Sequence, residues 1–313
     1  MKQICISCDG KMKNTGVSGQ DVVFGLDSAL IYVPLNAADG TANHLDLTAA
    51  DMDAELLGKL NHPDPTKRWY LIKDAINVTA EQAEAVYETT PTDERYKLRD
   101  GIQPYNYELW GMSRTYFNQL RTQCVDFGII RIDDCGNMLG EVDEAGEKFY
   151  PREVNKRSYS ARYISATADG SPKVMVTFDF DRHTNEGNQA LLSFQSFSYN
   201  VLRMSGMLEA TLEVVSVDTA TELTIKVELI YGAINAKVPV EGLDIADFDL
   251  VEVATGTSIA PLVGVADGAN PGEYKITTPA TTTGDEYRLS VFKAATNERE
   301  QGVETNVVTY TSL

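Results

Sequence analysis

Apolar and polar positions alternate with a period of two along most of this chain, and a helical period surfaces only in short windows. The clearest alternation lies in "SYSARYISATADGSPKVMVTFDFD". Tyr159, Ala161 and Tyr163 fall on one face of a first strand, Ala168 to Pro172 turn the chain, and Val174, Val176, Phe178 and Phe180 fall on one face of a second. "FGIIRIDDCGNMLGEV" predicts another hairpin, with Ile130 and Ile132 alternating against Arg131 and Asp133 and "DCGN" as the turn. "DVVFG" and "ALIYVPL" are strand candidates near the start, and Pro34 places the second at an edge or an ending. "WYLIKDAINVT" is strand-like, and "RYKLRDGIQPYNYELWG" predicts a strand, a turn at Asp100-Gly101 and another strand.

Three windows favour helix. In "LDLTAADMDAELLGKLN", Thr48 and Asp51 have the spacing of a capping box, and Met52, Leu56, Leu57 and Leu60 share a face. In "VTAEQAEAVYETT", Thr79 and Gln82 have the same spacing, with Glu81, Glu84 and Glu88 along a polar side. Ser113 can cap a helix in which Tyr116, Phe117, Leu120 and Cys124 form a stripe; packing against a sheet explains that stripe better than a cofactor.

Beyond about residue 208 the texture changes. "LEVVSVDTATELTIKVELIYG" predicts two strands about a polar turn, and short strands then recur at regular spacing between turns such as "DGANPG" and "TTTGD". Charge shifts with texture. Residues 1–207 hold 21 Lys/Arg against 29 Asp/Glu, whereas residues 208–313 hold 6 against 17, and no Lys or Arg occurs between Lys237 and Lys275. A domain boundary is expected near Ser205–Gly206.

The apolar share of 43% is enough for a buried core, and no apolar run is long enough to span a bilayer. "MKQICISCDG" does not read as a secretory signal. A net charge of −19 repels phosphates and argues against gripping nucleic acid.

Reactive groups do not converge in the sequence. His44, His62 and His183 form no metal-ligand pair, and no Walker loop, dinucleotide fingerprint or nucleophile elbow occurs. Cys5 and Cys8 have metal-ligand or redox spacing. A zinc site would want a second close pair, and Cys124 and Cys135 are too far apart with no histidine near, which leaves structural or incidental cysteines as the plainer reading. "DFDRHTNEGN", with Asp179, Asp181, Asn185 and Glu186, lacks the calcium-loop pattern and reads as a solvated acidic turn. No catalytic residue, cofactor or metal is assigned.

Taken together, the helix Ser113–Cys124 between strands, the hairpin Tyr159–Phe180 and the extended segment Val33–His44 resemble the arrangement of a bacteriophage tail tube protein. "GDEYRLSVF" resembles a late strand of immunoglobulin-like modules. The resemblance implies a mainly β fold: an antiparallel sandwich or barrel with inserted short helices over residues 1–207, then an immunoglobulin-like β-sandwich over 208–313. It also implies a virion protein assembled in the host cytoplasm. Copies would form a stacked ring, commonly of six, alongside other tail proteins, with DNA passing through unbound and no membrane involved. Connector ring, baseplate and head decoration are alternatives within the virion. A surface carbohydrate-binding module, with Trp69 or Trp110 as its platform, is the alternative outside it. For the subunit contact, Leu45, Leu47, Met52, Leu56 and Leu57 form an apolar run after a glycine-containing stretch, suited either to an arm on a neighbour or to an ordinary internal helix.

Overall fold

In the computed structural model the described residues are 24–80, 83–91, 93–99, 101–112, 114–122, 125–167, 170–181, 188–219, 221–233, 236–259, 264–268, 270–278, 283–297 and 300–313. Contacts divide the chain into two units, Met1–Met204 and Ser205–Leu313. The fold is mainly β.

The first unit opens with β1 (Asp27–Pro34), β2 (Leu45–Asp46), α1 (Met52–Leu60), β3 (Tyr70–Ile72), β4 (Ala75–Thr79), β5 (Val86–Thr89), β6 (Arg95–Arg99) and β7 (Pro104–Trp110). It continues with α2 (Arg114–Arg121), β8 (Phe127–Asp133), β9 (Met138–Val142), β10 (Lys148–Tyr150), β11 (Arg152–Glu153), β12 (Ser160–Ile164), β13 (Lys173–Asp179) and β14 (Gln189–Leu192). A large antiparallel sheet runs β2-β10-β9-β8-β1-β3, with β11 on β8 and β14 on β9; a smaller one runs β12-β13-β7-β4. Among the described residues β5 and β6 pair only with each other.

The apolar runs "ALIYV" and "FGIIRI" explain the layering. β1 lies against β8, with Ile31 opposite Ile130 and Tyr32 opposite Ile129. Leu30, Tyr32, Phe127 and Ile129 pack against Tyr105, Tyr107, Val174, Val176 and Phe178 of the smaller sheet. Ala29, Ile31, Val33, Ile130 and Ile132 pack the other way, against Leu56, Leu60, Trp69 and Phe149. A strand covered on both faces has no polar face to show, so its alternation vanishes. The alternation expected around Ile130 and Ile132 is therefore not one of inside and outside. Asp133 is fully buried, and Arg131 forms a two-pronged ion pair with Asp27 at 3.0 and 2.6 Å. Within the core the phenols of Tyr32 and Tyr107 meet at 2.5 Å, and burial pushes both well above their ordinary pKa.

The Tyr159–Phe180 hairpin forms as expected, with Ala161 opposite Val176 and Tyr163 opposite Val174. The first predicted helix also forms, but its cap is Asp51, whose carboxylate accepts from Ala54 N at 3.0 Å, and not Thr48. Thr48 instead closes an Asx turn on Asp46. α2 spans Arg114–Arg121; the Ser113 and Cys124 ends assigned to it, and residues 21–23 of "DVVFG", lie outside the described residues.

Two expectations fail. Val86–Thr89 is a strand, so the helix expected across Thr79–Glu88 does not form there. A window of eight to ten residues is too short to hold a helix in water without an apolar face to bury, however much Ala and Glu it contains. The strands flanking Asp100-Gly101 form but are not hairpin partners. β6 turns back onto β5, and β7 joins β13 and β4.

The second unit comprises β15 (Met207–Thr219), β16 (Glu222–Ala233), β17 (Ala236–Pro239), β18 (Phe248–Glu252), β19 (Gly264–Asp267), β20 (Glu273–Thr277), β21 (Glu286–Lys293), β22 (Gly302–Thr305) and β23 (Val308–Thr311). They run β18-β21-β22-β15-β16-β20-β19, with β17 on β16 and β23 on β21, antiparallel except for β15 with β22. The sheet curls around Leu212, Ile225, Tyr274, Ile276, Leu289 and Val291. Among the described residues no helix is long and apolar enough to cross a membrane.

Candidate assembly interface

The β5–β6 hairpin is an arm. Ala83 N donates to Ile102 O at its base, and Thr90 N donates to Glu94 O near its tip, where Asp93 adopts a left-handed φ of 60°. Tyr87 faces Lys97 and Thr89 faces Arg95 on one side; Glu88 faces Tyr96 on the other. Arg95 stacks on the Tyr87 ring at 5.1 Å, and the Tyr96 hydroxyl donates to Glu94 at 2.8 Å. Every residue of β5 is exposed; Tyr87 is 49% and Tyr96 56% accessible. Aromatic residues thus stand in water on both sides of a two-stranded ribbon. Such a ribbon is marginal by itself, because it has no third layer to exclude water from its backbone bonds and side chains. The sequence signal for it was the turn "TPTDE" between "VYET" and "RYKLR".

On the outer face of β12-β13-β7-β4, Trp110 and Arg162 are exposed, and Met175, Ile76, Ile164 and Lys173 are half-buried. Arg162, Met175, Glu108 and Ile76 form one row across it, and Ile164, Lys173 and Trp110 lie in the next. Glu108 is buried on this face under its own partners. It accepts from Lys173 Nζ at 2.7 Å, Asn77 Nδ2 at 2.8 Å and Trp110 Nε1 at 3.2 Å. Burial works against its charge, but the Lys173 ammonium and the two other donors outweigh burial and hold the carboxyl below its ordinary pKa. Asn77 reaches Glu108 from an irregularity in β4 between Ile76 and Thr79, where it adopts a φ of 51°. Trp110 is 52% exposed and oriented by its own N–H, whereas Trp69 is wholly buried.

The five residues expected at a subunit contact fall neither on the arm nor on this sheet face. Leu45, Leu56 and Leu57 are buried, the first two in the core beneath the large sheet, and Leu47 and Met52 pack against that core. Leu45, Leu56 and Leu57 therefore have little apolar surface to offer a neighbour, while Leu47 and Met52 remain half-buried. Met52, Leu56 and Leu57 belong to α1, whereas Leu45 lies in β2 and Leu47 follows it.

Asp133, Asp134 and Cys135 bring ligand atoms within 4.8 Å of one another. Cys135 is disulfide-bonded, and the Asp133 carboxylate accepts from Gly25 N, Cys135 N, Asn137 N and Asn137 Nδ2. These bonds build the β8–β9 turn and leave a poor metal seat. Cys5, Cys8, Cys124, His183, Asn185 and Glu186 lie outside the described residues. His44 rests against Tyr150, and His62 Nδ1 accepts from Asp64 N.

No protein-family model matches this sequence, and no curated protein matches it significantly.

Proposed function

We propose that this chain is a structural subunit of a bacteriophage virion, and within that class a tail tube subunit that closes into stacked six-membered rings. The observation that carries the reading is the β5–β6 arm. It is a ribbon with tyrosines on both sides and, among the described residues, no covering sheet. Unsatisfied ribbons and open sheet faces are hazards to a solitary protein and joints in an assembly of identical copies. The net charge of −19 is compatible with a conduit, since DNA presents a charge every ~1.7 Å and a wall of like sign leaves it free to slide.

Negative-stain microscopy and sedimentation velocity of the full chain test this. Rings or tubes are expected, and loss of assembly is expected when residues 84–101 are replaced by a short glycine-serine link. A monomer at every concentration and ionic strength, or assembly indifferent to loss of the arm, counts against it.

A further inference from the structure

We infer that the arm of one copy seats on the outer face of the four-stranded sheet of the next, with Tyr96 and Glu88 meeting Trp110, Met175 and Arg162. This rests on the self-assembly reading and specifies its joint.

The two surfaces fit in charge. The Glu88–Tyr96 side of the arm also carries Glu94, held against the Tyr96 hydroxyl, so it presents carboxylates around one aromatic ring. On the sheet face Glu108 and Lys173 neutralise each other. The Arg162 guanidinium approaches the Met175 sulfur at 3.2 Å and has no carboxylate in ion-pairing range among the described residues. One cation therefore stands unbalanced beside an apolar surface, opposite in sign to the arm's side.

They fit in shape and in preorganisation. A two-stranded ribbon covers two to three strands of a four-stranded face, since strands lie about 4.8 Å apart. Trp110 is already oriented by Glu108, so little side-chain freedom is lost on contact, and a large rigid aromatic is the usual anchor of a protein interface. A sugar would need hydrogen-bonding groups free around the indole, and Glu108 is already engaged by three donors. The arm leaves from β4 and returns to β7 of the same sheet, yet Tyr96 remains exposed. The face it covers is thus another copy's. A contact between two different surfaces of one chain propagates as a ring or filament unless two copies exchange arms reciprocally and close as a dimer.

Charge reversal tests the joint. Arg162→Glu and Glu88→Arg are each expected to weaken association about tenfold or more in sedimentation velocity, the scale of a lost or reversed interfacial charge pair. The double variant is expected to recover most of it, while Arg95→Glu, on the opposite side of the arm, retains association closer to wild type. Trp110 emission should shift to the blue on assembly. If the wild type assembles but the reversals are silent, or the double variant does no better than the singles, the docking is wrong and self-assembly stands. If the wild type never assembles, both fail. Quenching of Trp110 in the monomer by a neutral oligosaccharide such as maltoheptaose, without self-association, overturns the docking in favour of a sugar site.

Discussion

β12–β13 and β5–β6 are both antiparallel ribbons of the first unit, and they treat their aromatic residues in opposite ways. β12–β13 gathers Tyr159, Tyr163, Val174, Val176 and Phe178 on one side and lays that side on the large sheet. β5–β6 splits Tyr87 and Tyr96 between its two sides and lays neither on its own unit. The first ribbon is stabilised by burial, each large apolar side chain contributing about 1.5–3 kcal/mol. The second holds mainly its own backbone bonds and a few contacts along its length. Consistent one-sided alternation therefore marks a ribbon that completes its own chain. Two-sided aromatic placement marks one whose remaining layer must come from outside.

Substitution of the two aromatic sets should separate stability from assembly, and this is the largest effect expected. Phe178→Ala leaves a cavity beside Tyr105 and Tyr159 and should cost about 3–5 kcal/mol in denaturant unfolding. Tyr96→Ala should change monomer stability by less than about 0.5 kcal/mol, as an exposed position does, while sharply reducing association. Comparable losses of stability from both would mean that the arm is held by its own chain after all.

A smaller effect is expected at the root of the arm. A β-carbon on Gly101 would lie 1.7 Å from the Ala83 carbonyl oxygen, across the pair that Ala83 N and Ile102 O close. Gly101→Ala must push the two legs apart. A cost of about 1–3 kcal/mol is the usual range for forcing an atom into a packed site, and the open arm should bear less of it than a core would. Hydrogen exchange should report the change: amides of β5 and β6 lose protection while those of β12 and β13 keep theirs. Unchanged exchange in the arm would show that its base does not need the close approach.

The same two ribbons explain what could be read from sequence. The pairing and faces of β12–β13 were legible because the alternation is long; Ala168 and Asp169 of its expected turn lie outside the described residues. The arm was not. "AEQAEAV" is composed like a helix, and the rule that disallows one there, the want of an apolar stripe to bury, acts through tertiary contacts. β1 and β8 were legible as strands, but their burial on two faces was not, since an apolar run looks the same under one layer or two. For that reason Leu45, Leu47, Met52, Leu56 and Leu57 could be read as an outward patch, although Leu45, Leu56 and Leu57 are buried and Leu47 and Met52 pack against the core. Trp110 and Trp69 sit in similarly apolar stretches. Only the pairing of β7 with β13 sends one to solvent with Glu108 and Lys173 beside it.

The smallest effect concerns how the receiving face is held. The arm owes its form to backbone pairing, whereas Trp110 owes its orientation to a charged acceptor. Glu108 has its folded pKa below the ordinary 4.5, so the fold favours the carboxylate. Its contribution is complete above that ordinary value and is lost as pH falls through the lower, folded one. The chain holds two tryptophans, Trp69 and Trp110, and only Trp110 is open to solvent, so acrylamide quenching reports almost entirely on Trp110. Quenching should be flat from neutral pH down to about 4.5 and change at lower pH as the indole N–H loses its charged partner. Glu108→Gln at neutral pH should move quenching the same way, with the far-ultraviolet spectrum unchanged. Tyr96→Ala, measured at a dilution where the protein is monomeric, should leave the profile where it was. A profile that follows Tyr96 instead of Glu108 would place the control of Trp110 in the arm, and the two surfaces would then be one.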